Sequence, residues 1–94
     1  MKSASPVRRM NLRITTKQSA VVTVVQVDGD LRGQGVGELE KVCQSIGGPF
    51  CLDLADLQSV DAEGVRAIHA LEDRGAAVTG VSRYIQKLLD RKVD

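Results

Sequence analysis

The clearest alternation of apolar and polar positions lies between Phe50 and Gly75. There Phe50, Leu52 and Leu54 alternate with Cys51 and Asp53, and a polar turn then passes into a helical pattern. A period of two predicts a short strand, and Cys51 is apolar enough to sit against a second layer, so an interior strand is expected. From Ala62 onward Val65, Ile68 and Leu71 recur at helical spacing, with Arg66, Glu72, Asp73 and Arg74 left for water. Asp61 suits the N-cap, where a carboxylate can accept free backbone N–H groups of the first turn. Gly75 suits the C-terminal stop, because glycine enters the left-handed region at little cost. Strand, turn and helix together make half of a βαβ unit.

Upstream, Asn11 to Thr16 reads as a strand with Leu12 and Ile14 inward, and Gln18-Ser19 as a turn. Val21 to Val27 is the strongest strand pattern, since nearly all its residues are β-branched and favour a pleated, packed surface. A hairpin joins the two. Asp28-Gly29-Asp30 is expected to break the strand. A helix follows from Val36, with Val36, Leu39, Val42, Cys43 and Ile46 on one side and a start loosened by Gly33, Gly35 and Gly37. Gly47-Gly48-Pro49 ends that helix and returns the chain to the Phe50 strand by a right-handed crossover. Downstream, Ala76 to Val81 supplies another strand. Ser82 caps a last helix through Asp90, with Ile85, Leu88 and Leu89 inward. The predicted fold is α/β in the order ββαβαβα: a four-stranded mixed sheet with helices packed on one face. The other face either carries smaller side chains or meets a partner.

Ninety-four residues suffice for one small two-layer domain, expected over residues 10–94 behind a flexible basic leader at residues 1–9. With one Tyr, one Phe and no Trp the core must be aliphatic, and aromatic stacking on nucleic-acid bases has no support. The net charge of +1 hides an asymmetry. Residues 1–17 hold Lys2, Arg8, Arg9, Arg13 and Lys17 and no acid, whereas residues 18–94 hold eight bases against twelve acids. A basic tail on an acidic body could touch a membrane or nucleic acid, but a solvated tail is the simpler reading. Cys43 and Cys51 lack CxxC spacing and read as buried free thiols in a reducing compartment. No apolar run reaches membrane-spanning length, and MKSASPVRRM lacks the hydrophobic segment of a secretory signal, so a cytoplasmic location without membrane insertion is expected.

Catalytic and cofactor motifs are weak. Gly33 to Gly37, GQGVG, has neither the Lys-Ser/Thr of a phosphate-binding loop nor dinucleotide spacing, and a flexible loop is the better reading. His69 is the only histidine and meets Glu72 and Asp73 at helical spacing, which gives surface pairs rather than a catalytic or zinc centre. Neither cysteine has the setting of a reactive thiolate. Asp53, Asp56 and Asp61 could gather at the carboxyl end of the central strand to hold a magnesium ion in a small metal- or phosphate-dependent enzyme. However, Asp61 has a cap to make and Asp56 a turn to serve. No cofactor and no catalytic residue is therefore assigned. At Ser59 to Gly64, Asp61 and Glu63 complement the helix dipole, while Gly64 lies inside the first turn, where it permits close approach of another backbone or a docking protein.

Four segments, VVTVVQVDGDL at Val21–Leu31, CLDLADLQSVDAEGVRAI at Cys51–Ile68, GAAVTGVS at Gly75–Ser82 and YIQKLL at Tyr84–Leu89, resemble the STAS domain family. That family comprises cytoplasmic domains of sulfate transporters and bacterial anti-sigma factor antagonists. The narrowest point of likeness is Asp-x-x-Gly at the strand-to-helix junction. The resemblance implies a STAS-like fold and a non-catalytic role in protein–protein interaction and bacterial signalling. In switching members a partner kinase phosphorylates the residue after the Asp, and here that position is Ala62. Asp61 and Gly64 are retained, Glu63 takes the place of a second serine, and Arg32 stands where switching members keep an acid in the loop after the long strand. The resemblance thus implies docking without phosphorylation at the usual residue, through Arg32, Gln34, Ser59, Asp61, Ala62, Glu63, Gly64 and Arg66. The implied partner is a kinase-like anti-sigma factor controlling transcription, the ATPase subunit of a membrane transporter, or a multi-STAS signalling assembly; separately, the exposed sheet face suggests a structural or ligand-sensing role as a homodimer.

Overall fold

The computed structural model describes residues 7–9 and 11–90. Strands β1 (Val7–Arg9), β2 (Leu12–Gln18) and β3 (Thr23–Leu31) come first, then helix α1 (Gln34–Gln44) and strands β4 (Phe50–Asp53) and β5 (Leu57–Val60). Helix α2 (Ala62–Asp73), strand β6 (Ala77–Thr79) and helix α3 (Arg83–Asp90) complete the order. The result is an α/β domain whose helices pack on one face of a mixed sheet. Among the described residues that sheet has six strands rather than the four expected. They run β1-β2-β3-β4-β6, with β5 also paired to β3. The leader expected at residues 1–9 lies outside the described residues except for β1, which pairs antiparallel with the start of β2. No helix among the described residues is long and apolar enough to cross a membrane.

β2 and β3 form the expected hairpin, in register from Leu12↔Gly29 to Gln18↔Thr23. Its turn is closed by Ser19, whose hydroxyl donates to the Val22 carbonyl at 2.7 Å and accepts from the Val22 N–H at 3.1 Å. Val21, expected in the strand, sits on this turn and is 83% exposed. Two corrections concern β3. It does not break at Asp28-Gly29-Asp30 but runs to Leu31. The pairing with β5 shifts register between Gly29 and Asp30, where Gln58 is the extra residue on β5; Gly29 itself lies at φ +94°, and a β-carbon there would lie 1.7 Å from the Asn11 carbonyl oxygen. β5 occupies what reads as a turn: β4 pairs parallel with Thr23–Gln26 and β5 pairs parallel with Gly29–Leu31. The Phe50 strand therefore returns to β3 in two pieces.

Alternation decides which side chains enter the core. Val25, Val27 and Leu31 of β3 are fully buried with Leu12, Ile14, Leu52, Leu54 and Leu57 beneath Val36, Leu39, Val65, Ile68, Leu71, Ile85 and Leu89 of the helices. Each such side chain contributes about 1.5–3 kcal/mol relative to an exposed one. The opposite face is polar: Asp28 approaches Arg13 at 4.0 Å and accepts from the Gln26 amide at 3.2 Å. Cys51 belongs to that face and is half-buried, so it does not meet the second layer expected for it, whereas Cys43 is buried.

α1 begins at Gln34, two residues before Val36, so Gly35 and Gly37 are helical rather than part of a flexible loop. Gly35 has a packing reason, since a β-carbon there would meet Leu12 Cδ2 at 2.5 Å. α2 ends as its sequence suggests. The N–H of Gly75 (φ +104°) donates to the Glu72 carbonyl at 2.9 Å and that of Ala76 to the Leu71 carbonyl at 3.0 Å, the paired bonds of a Schellman stop. In α3 the Ser82 hydroxyl accepts the Ile85 N–H at 3.2 Å.

Candidate functional site

β3, β5 and the first turns of α1 and α2 meet at one end of the sheet, and Asp61 joins them. Its Oδ1 accepts the Gly64 N–H at 2.8 Å, which makes it the N-cap of α2. Its Oδ2 accepts the Gly33 N–H at 3.2 Å, which ties the entry of α1 to the same carboxylate. Its backbone N–H donates to the Leu31 carbonyl at 3.2 Å. One residue therefore holds the end of β3, the Arg32–Gly33 loop and the start of α2 in a single arrangement, with a charge of the sign that a helix N-terminus favours.

Gly64 permits a close approach, and what approaches is the chain itself. A β-carbon there would lie 2.4 Å from Val60 Cγ2 and 2.8 Å from the Leu31 oxygen. Gly64 is consequently buried and packs against its own chain. The other expected site residues divide into two groups. Ser59 is half-buried and donates to Asp30 Oδ1 at 2.7 Å, and Arg32 reaches Asp30 Oδ2 at 3.7 Å. Asp30 thus organises this side of the site, although its position in the sequence suggests only a strand breaker.

The second group faces an open groove of about 530 Å³ between α1 and α2, where Gln34, Gly37 and Glu40 stand opposite Glu63, Arg66 and Ala70. Of these residues Glu40 belongs to no motif of the sequence; helical spacing from Gln34 and Gly37 is the signal that could have found it. Arg32, Gln34, Ala62, Glu63 and Arg66 are all exposed, and the Ala62 side chain offers only a methyl group at the first position of α2.

The residues considered for chemistry lie apart in the fold. Asp53 Oδ1 accepts the Ala55 N–H at 3.1 Å, and the Asp56 carbonyl accepts the Gly29 N–H at 3.0 Å. With Asp61 capping α2, the three aspartates do not gather, and among the described residues no group of three His, Cys, Asp or Glu could share a metal ion. His69 links α2 to α3: its Nε2 donates to the Leu89 carbonyl at 2.7 Å, and its Nδ1 lies 3.3 Å from Glu72. Burial pushes the Cys43 thiol up to about 11, with Arg74 opposing and Glu40 reinforcing the shift, which keeps it protonated and a poor nucleophile. No protein-family model matches the chain, and no curated protein sequence matches it.

Proposed function

We propose that this chain is a non-catalytic interaction module of the STAS type, acting like an anti-sigma factor antagonist through the exposed surface at the start of α2. The observation that carries this reading is the double use of Asp61, which presets the Arg32–Gln34 loop and the Ala62–Arg66 turn as one rigid patch. A preset surface loses little conformational entropy on docking. Of the aspartates that an enzymatic reading needs, Asp53 serves a turn and Asp61 a cap, and the three share no cluster, which favours the module.

Ala62 gives the module its character. A phosphate at this position would add about −1.5 to −2 charges beside Asp61 and Glu63. With no hydroxyl there, the surface stays competent to dock whatever the activity of a partner kinase. The partner is a kinase-like anti-sigma factor, and the role is cytoplasmic signalling in a bacterium.

The test uses the kinase-like anti-sigma factor encoded nearest the gene. Calorimetry should show binding to the wild type that is lost in the double variant Glu63→Arg/Arg66→Glu, and intact-mass measurement after incubation with ATP should show no phosphate on residues 59–64. Ala62→Ser should restore phosphorylation and make binding sensitive to ATP. Stoichiometric phosphorylation of the wild type at residues 59–64, or binding indifferent to the double variant, would sink the reading.

A further inference from the structure

The sheet ends in β6, whose outer edge pairs with no described strand. Its register with β4 is Leu52↔Val78, and the Thr79 carbonyl accepts the Leu54 N–H at 2.9 Å. In a parallel ladder a residue's N–H and C=O point to the same side, so Thr79 faces β4 while the N–H and C=O of Val78 point outward. Ala77, Val78 and Thr79 carry no charge, and neither proline nor lysine guards this edge.

Val78 shares the side of the sheet that buries Leu52, and its side chain lines a cleft of about 440 Å³ between β6, α2 and α3. Val78, Val81 and Leu89 supply apolar walls, and Glu72 and Asp90 lie among the lining residues, with no lysine or arginine among the described residues that line it. One oxygen of Asp90 accepts from Gln86 at 2.8 Å and one of Glu72 lies against His69, which leaves the second oxygen of each carboxylate without a partner among the contacts described.

We propose that the β6 edge is a second docking site, distinct from the surface at the start of α2, which takes an extended segment of a protein partner with a lysine or arginine opposite Val78. A residue that exchanges backbone hydrogen bonds with Val78 projects its side chain on the same face of the sheet. A long basic side chain at that position lays its aliphatic stem along Val78, Val81 and Leu89 and its charged end between Glu72 and Asp90.

The probe is a blocked pentapeptide, acetyl-Thr-Val-Lys-Val-Thr-amide, titrated into the ¹⁵N-labelled full chain. The expected result is a shift of the Val78 amide resonance that saturates, with binding about fivefold weaker when the lysine is replaced by glutamate or when the protein carries Glu72→Gln/Asp90→Asn. Methylation of the peptide's lysine backbone nitrogen should abolish the response, because it removes the donor facing Val78. An unmoved Val78 resonance at millimolar peptide, equal responses to the lysine and glutamate peptides, or indifference to backbone methylation overturns the proposal. The Glu63→Arg/Arg66→Glu variant should bind the peptide like the wild type, so failure here is separable from failure of the α2 surface.

Discussion

Substitution of Gly64 by alanine sets two effects of known sign against each other. Gly64 is the third residue of α2, and alanine at an unencumbered helical position gains about 1 kcal/mol over glycine. The new methyl group, however, would stand 2.4 Å from Val60 Cγ2 and 2.8 Å from the Leu31 carbonyl oxygen, where real contacts need at least 3.0 Å. Val60 is β-branched and stiff, and the Leu31 oxygen is backbone, so neither yields cheaply. Relief requires the first turn of α2 to lift away from β3. That strains the bond from the Asp61 N–H to Leu31 and the bond from the Gly33 N–H to Asp61, each worth about 0.5–1.5 kcal/mol.

Overpacking of this kind costs about 1–3 kcal/mol before the strained bonds are counted, so after the propensity gain a net loss of about 1–3 kcal/mol is expected. In urea, with a slope of about 1–2 kcal/mol per molar, the unfolding midpoint should fall by about 1 M at unchanged slope. The same lift should broaden the Gly33 amide resonance and speed its hydrogen exchange. A midpoint equal to or above that of the wild type would refute the packing argument, because propensity alone would then have decided the outcome.

Gly37→Ala is the matching control: its β-carbon would meet nothing within 4 Å, so the urea midpoint should rise, by about 0.4–1 kcal/mol of stability. Asp61→Ala removes the cap of α2 and orphans the Gly33 N–H, and should cost about 1–2 kcal/mol while Asp61→Asn recovers much of the loss, as read from the same urea curves. Cys43, raised from 9.0 to about 11, should contribute stability that is whole below pH 9 and is lost as pH rises through 11, because in that window the unfolded chain holds fewer protons. The stability difference between wild type and Cys43→Ala should therefore shrink across that window, and a thiol reagent at pH 8 should label half-buried Cys51 well before Cys43.

Where local chemistry and hydrophobic period agree, the sequence is easy to read. The Asp61 and Ser82 caps, the Gly75 stop and the Leu12–Ile14 and Leu52–Leu54 alternations all lie where residue type and spacing place them. What escapes is what polar residues do on a half-open sheet. Asp28 and Asp30 look like breakers because aspartate disfavours strands. In the fold their carboxylates have partners on the polar face in Arg13, Gln26, Ser59 and Arg32, so the strand continues. Gln58 and Ser59 hide β5 for the same reason, and the extra residue at Gln58 breaks the alternation that would otherwise reveal the strand.

The candidate site follows from that unread continuation. Had β3 ended at Val27, the Leu31 carbonyl would not lie under α2, Gly64 would have no backbone to approach, and the Arg32–Gly33 loop would not reach the Asp61 carboxylate. Each of these contacts spans roughly thirty residues of chain, beyond the reach of any local period. The Asp-x-x-Gly spacing can be read locally as a cap followed by a small residue. Its second meaning, a junction that fixes two helix starts against one strand end, exists only once Asp28-Gly29-Asp30 is carried through as sheet. Ala62 therefore stands on a surface positioned by β3 from beneath, and a substitution that shortens β3 at Gly29 should loosen the patch proposed for docking as surely as one at Asp61.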